Sequence, residues 1–241
     1  MQAHIERRFA MPWSRPAARM AEFVAAVRAI WASWQTGERL AFRGEFYRHT
    51  LMTDFFNPGP NPYGYPPIVL AAVGERMTEV AGRCADGLLV HPLTSPAYLT
   101  ERTLPILREA RGGTLDGFSL GLSAFLVVGP DEKARSEAEQ AVRAQIAFYA
   151  STPSYRPVLD LHGWGDLADR LNGLSRRQAW DEMATLITDD VLNAFAIGGD
   201  DVAGQLRARF DGVIDRLSFY TPYPVDEEIL RGVREGLRVP G

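Results

Sequence analysis

A chain of 241 residues, 46% of them hydrophobic and 23% charged, with a formal net charge of −4, has the profile of an ordinary globular domain. That charge supplies no basic field for nucleic acid, and Cys84, the single cysteine, excludes an internal disulfide and a cysteine-built zinc site. No apolar stretch of eighteen residues and no signal-peptide pattern is present, so a cytoplasmic protein with no membrane contact is expected.

The first strong element is a helix from about Pro16 to Gln35, with Ser14 as candidate N-cap and Thr36-Gly37 as its stop. Met20, Phe23, Val24, Val27, Ile30, Trp31 and Trp34 recur at helical spacing and read as a core-facing stripe. Leu40 to Tyr47 alternates weakly and suits a short hairpin arm. The run Asn57-Pro58-Gly59-Pro60-Asn61-Pro62-Tyr63-Gly64 is a long loop, since proline removes backbone donors. Phe55, Phe56, Tyr63 and Tyr65 suggest that this loop is packed rather than a linker.

An alternation of strands and helices follows. Ile68 to Val73 is a short apolar run, Gly74 to Ala85 a helix, and Gly87 to His91 a second strand. A helix opens at Ser95-Pro96 and stops at Gly112-Gly113. Phe118 to Val128 is a third strand, and Pro130-Asp131 opens a helix reaching about Ala150. Residues 151–210 read as mostly helical, with Asp200 or Asp201 capping the last piece. A fourth strand covers Gly212 to Tyr220, and a helix over Asp226 to Leu237 closes the chain. This order implies parallel β-α units in a single domain, residues 1–241. Four strands cannot close an eight-stranded barrel, which takes about 250 residues. Ile68, Leu70, Leu88, Val90 and Phe125 are candidates for an apolar face left uncovered, and an oligomeric or aggregation-prone chain is expected.

The segment Ala71-Ala72-Val73-Gly74-Glu75-Arg76-Met77 is the most informative for chemistry. A buried strand ends, a glycine turns the chain and a helix begins, which suits a phosphate on the helix N-terminus with Arg76 adding charge. The same residues also suit an ordinary β-α turn. His91 closes the next strand at the same face, as a ring contact or as a structural residue. His4 and Glu6 are either polar contacts to a ligand or part of a frayed terminus. No metal-ligand spacing, Walker loop, G-x-S-x-G or H-E-x-x-H motif occurs.

Phe42-Arg43-Gly44-Glu45-Phe46-Tyr47, the run Pro67 to Met77, Ala81-Gly82-Arg83 and Ala85-Asp86-Gly87 together resemble the luciferase-like monooxygenase superfamily, closest to its branch dependent on coenzyme F420. Phe46 to Leu93 is the most specific part, and weaker similarity runs through Ala196-Ile197-Gly198 to the last strand. The resemblance implies an α/β fold, a partial (β/α)8 TIM-type barrel lacking about its first four strands, with Met1 falling just after the fourth. It implies an oxidoreductase moving a hydride, or using oxygen, through F420 or FMN on a small organic substrate. By the same resemblance Ala72, Val73, Gly74, Glu75, Arg76, Met77 and His91 contact the cofactor, while His4 and Glu6 border the pocket. The acid-base residues belong to strands one to four, so none is assigned here. The competing expectation is a non-catalytic fragment or a remnant that depends on a partner; a homo-oligomer is also left open.

Overall fold

The computed structural model describes Gln2 and residues 4–238. Eleven α-helices and seven strands occur among them, with short π and 3-10 turns between. In chain order they begin with α1 (Pro16–Thr36), a hairpin of β1 (Phe42–Arg43) and β2 (Arg48–His49), β3 (Val69–Ala72), α2 (Glu75–Cys84) and β4 (Gly87–Val90). Next come α3 (Pro96–Tyr98), α4 (Leu104–Ala110), β5 (Ser119–Val127) and α5 (Glu132–Ala150). A helical block holds α6 (Arg156–Leu161), α7 (Gly165–Arg176), α8 (Trp180–Thr185) and α9 (Asp189–Phe195). The chain then forms β6 (Ala196–Gly198), α10 (Val202–Phe210), β7 (Arg216–Tyr220) and α11 (Glu227–Leu237).

Five strands form one open sheet in the order β3-β4-β5-β6, with β7 paired to β5. The order ends at β3 and β6, so no barrel closes. The expected four strands are all present, and β6 is a fifth. It is three residues long and follows α9 directly, too short to separate by pattern from the helices around it. β6 and β7 both run parallel to β5, Phe125 lying opposite Ala196 and also opposite Tyr220.

One device recurs at the strand starts. Asp86, just ahead of β4, accepts the Ile68 N–H at 2.7 Å, and its own N–H donates to the Ile68 carbonyl. Asp215, just ahead of β7, does the same to Leu120 at the start of β5. A carboxylate on a backbone donor is a charge-assisted bond. Each pair pins two strand starts side by side, so β3 and β4 run the same way, as do β5 and β7.

Of the expected caps, Asp201, one of two alternatives, holds and Ser14 fails. Ser95, Asp131, Asp201 and Asp226 each accept a backbone N–H from the first turn of the helix they precede. Ser14 does not cap α1. The cap position is Arg15, in the left-handed region at φ 36°, and the Ser14 hydroxyl accepts from Arg19 instead. Gly37, at φ 75°, closes α1 as expected.

Contacts divide the chain into two compact units. The first is built from residues up to Leu70, Glu75–Leu88 and Ile106–Phe118. Within it α1 packs on α2, and Glu22 of α1 accepts the backbone N–H groups of Glu45, Phe46 and Tyr47 at 3.0, 2.7 and 2.7 Å. A Cβ at Gly44 would collide with that carboxylate, which is the physical reason for glycine in the Phe42–Tyr47 motif. The 53–66 loop departs from its expected packing. Trp34 and Gln35 hold it through Met52 and Asn61, but Phe55, Phe56, Tyr63 and Tyr65 are exposed, Tyr63 at 94%.

The second unit holds Ala71–Gly74, Leu89–Pro105 and the chain from Ser119 on. Its core is one continuous cluster in which Phe125, Val142, Ile146, Leu159, Leu171 and Met183 are sealed from solvent. Arg143 of α5 ties in α9, pairing with Glu139 and Asp189 and donating to the Ile187 carbonyl.

The expected uncovered face is corrected. Leu70, Leu88, Val90 and Phe125 are buried, Leu88 at 1% exposure, and Ile68 is half-buried. The exposed residues are their neighbours Val69 and Leu89, at 48% and 45%. Successive strand side chains point to opposite faces, so in β3 and β4 the wrong parity exchanges the set, whereas β5 around Phe125 is buried on both faces.

Candidate functional site

The turn after β3 is built for close approach. Gly74 sits at φ 80°, a conformation that glycine adopts without penalty, and a Cβ there would project into open space. Helix α2 begins at the next residue, with Glu75 in its first turn. Arg76 is exposed, and its side chain makes no ion pair or hydrogen bond among the described residues. Ala72, Val73 and Met77 are half-buried around the turn. Because β3 and β4 start together at the Ile68–Asp86 staple, the chain leaves both at the same end. Gly74 and His91 therefore follow neighbouring strand ends, as expected.

His91 is held by rings. It stacks on Tyr155 with centroids 4.3 Å apart and meets Tyr149 edge-on at 4.6 Å. Burial drives its pKa down from the ordinary 6.5 to about 4, so the imidazole is neutral near pH 7. Its Nδ1 accepts the Leu93 N–H at 3.1 Å. The neutral ring's proton then lies on Nε2, a donor that has no protein partner among the described residues and is not sealed from solvent.

Two more strand ends join this wall. Tyr220, the last residue of β7, stacks on Phe125 of β5 at 4.8 Å, and its hydroxyl lies 3.0 Å from that of Tyr149. Burial, and then the Tyr149 hydroxyl, push the Tyr220 pKa well above the phenol range, and burial also raises that of Tyr155. Tyr223 fixes the end of β5, accepting from Val128 N–H and donating to the Leu126 carbonyl. Sequence reasoning singled out His91 but not Tyr149, Tyr155 or Tyr220. The available signal was a tyrosine ending the last strand; the other two come from the end of α5 and a 3-10 turn, where no periodicity marks them.

His162 lies 2.8 Å from the Ser95 hydroxyl and stacks on Trp164. Ser95 is buried and caps α3 by accepting from Tyr98 N–H, so its hydroxyl is a structural clamp rather than a poised nucleophile. His4 and Glu6 sit exposed in a π-helical turn, where Glu6 takes the Gln2 amide at 3.1 Å. Among the described residues no group of acidic, histidine or cysteine side chains could hold a metal ion, and no helix is long and apolar enough to cross a membrane. Cys84, its thiol pKa raised by burial, donates to the Val80 carbonyl and reads as a packing residue.

Parallel β-α units with a ring-lined wall at the carboxyl ends of the strands define an α/β-barrel type of architecture, here open. The chain belongs to the luciferase-like monooxygenase family, whose model matches residues 1–216. It is 50% identical over 222 residues to an uncharacterized protein of Mycobacterium tuberculosis, covering 90% of this chain and 65% of the relative. It is 35% identical over 215 residues to an F420-dependent glucose-6-phosphate dehydrogenase of Nakamurella multipartita, covering 88% of this chain and 57% of that one. The EDTA monooxygenase of Chelativorans sp. BNC1 shares the fold, with a TM-score of 0.66 at 18% identity over 98% of this chain and 62% of the other. The chain thus spans roughly three-fifths of the length of these relatives.

Proposed function

We propose that the protein is an oxidoreductase that binds coenzyme F420 at the carboxyl ends of its strands and acts on a small organic substrate, with FMN as the alternative cofactor. The choice of F420 is supported by the 35% identity with an F420-dependent dehydrogenase. The observation that carries the placement is the open cradle at Gly74, directly ahead of α2 and at the same sheet end as His91. Such a turn fits an anionic group: glycine carries no side chain to keep a ligand away, and a helix N-terminus favours negative charge.

When bound, the cofactor supplies a two-electron hydride carrier. The chain's own residues bind and orient. Ala72, Val73 and Gly74 shape the turn, Glu75 and Met77 begin the helix, and Arg76 contributes the charge that a phosphate needs. His91, at the neighbouring strand end, adds a ring contact beside the cofactor. His4 and Glu6 are proposed as substrate contacts on the strength of the family resemblance.

Titration of the chain with F420 and with FMN, followed by cofactor fluorescence, tests this reading. F420 is expected to bind, and Arg76→Ala to weaken it about tenfold or more, the worth of one charge-assisted bond at ~1.5–3 kcal/mol. Binding of FMN alone would select the flavin. Binding of neither would overturn the proposal in favour of a non-catalytic or partner-dependent remnant.

A further inference from the structure

The wall formed by His91, Tyr149, Tyr155 and Tyr220 has a chemical bias that the family assignment does not specify. It offers ring faces and neutral donors. The His91 Nε2–H has no partner among the described residues. The Tyr155 hydroxyl makes no hydrogen bond among them either, and it is not sealed from solvent. The Tyr149 and Tyr220 hydroxyls have two protons between them and use one in their mutual bond, so one O–H is left to donate outward.

Among the described residues no arginine or lysine stacks over these four rings; the cation-π contacts lie at Phe9, Phe46 and Phe118. The cation next in sequence, Arg156, is committed to Asp160 and Asp169. A dianionic substrate group placed here would lose its water and gain no counter-charge from these residues, which is costly. An uncharged flat molecule with a carbonyl oxygen gains ring contact and can accept from two of these donors, one for each lone pair.

We propose that this wall is a substrate subsite selective for uncharged, planar carbonyl compounds, such as aromatic or conjugated ketones, rather than for sugar phosphates. The proposal rests on the oxidoreductase reading in taking this sheet end as the place where substrate meets cofactor. Tyr155 and His91 set the specificity, by stacking and by hydrogen bonds to the carbonyl oxygen. Burial raises the pKa of the Tyr155 and Tyr220 phenols and keeps the His91 imidazole neutral near pH 7, so these groups stay in their donor forms.

The test uses acetophenone, benzoate and glucose 6-phosphate as probes, with binding to the chain read by ligand-observed NMR. Acetophenone is expected to bind at least about tenfold more tightly than either anion. Tyr155→Phe and His91→Phe keep the rings but remove a donor, and each should weaken acetophenone about threefold to tenfold. His91→Gln, which retains an N–H, should recover part of the loss, and Phe55→Ser in the 53–66 loop should change nothing. Tighter binding of glucose 6-phosphate, absence of acetophenone binding, or wild-type affinity in both donor-less variants would overturn the proposal. The F420 titration is independent. Failure there with the acetophenone ranking intact removes the oxidoreductase reading alone, whereas F420 binding with the ranking reversed removes this inference alone.

Discussion

Two stretches of this molecule are rich in aromatic residues and have opposite fates. Around His91 the rings of Tyr149, Tyr155, Phe125 and Tyr220 lie within 6.5 Å of a neighbour and are braced by strand ends. In the 53–66 loop Phe55 and Phe56 meet edge-on at 5.1 Å, and both stay exposed, as does Tyr63. Composition alone does not separate the two. The first group hangs from strands and helices that converge. The second hangs from a proline-rich backbone with few internal hydrogen bonds, so the rings have nothing fixed to pack against.

The contrast can be broken most sharply at Phe125. It is fully buried, bridges β5 to the Tyr220 ring and belongs to the main core. Phe125→Ala is expected to cost about 3–5 kcal/mol, read as a fall in the denaturant midpoint. A loss below about 1 kcal/mol would show that the wall is not anchored through the sheet.

A smaller effect is expected from acid. His91 is depressed from 6.5 to about 4 by burial, so between those values the unfolded chain takes up a proton that the folded chain refuses. The stability that His91 contributes is therefore complete above pH 6.5 and is lost as pH falls towards 4. The melting temperature of the wild type should drop across that window more steeply than that of His91→Phe. Parallel curves would mean that the imidazole is solvated in the folded state.

The smallest effect belongs to the loop. Phe55 is 89% exposed, and Phe55→Ser should change stability by no more than about 0.5 kcal/mol. A loss of 2 kcal/mol or more would show that the exposed rings are covered in solution and that the two aromatic regions are alike after all.

Much of the architecture was legible in the chain. The helix over Pro16–Gln35, the strand-helix order from Ile68 to Ala150 and the helix starts at Ser95-Pro96, Pro130-Asp131 and Asp226 are local features, each decided by neighbours within a few residues. The Gly74 turn was legible for the same reason, since a buried strand, a glycine and a helix start need only seven residues to declare themselves. Strand β6 was not, because three residues carry no period. The tyrosines of the wall were not, because Tyr149 and Tyr220 lie 71 positions apart and neither belongs to a motif.

By itself the sequence determined the class of fold, the order of its elements, the turn at Gly74 and the kinship carried by Phe42–Tyr47 and Pro67–Met77. Only the tertiary structure decided which parity of β3 and β4 is buried, with Leu88 and Val90 beneath the surface and Leu89 on it. Alternation is symmetric under a shift of one residue, so the pattern names two faces without saying which is covered. The structure alone also decided the state of His91. Its neutrality comes from burial among rings, and its tautomer comes from the Leu93 N–H meeting Nδ1. The Leu93 contact spans only two residues, but the rings of Tyr149 and Tyr155 come from segments far from His91 in sequence, so the burial that keeps it neutral exists only once the strands have brought their ends together.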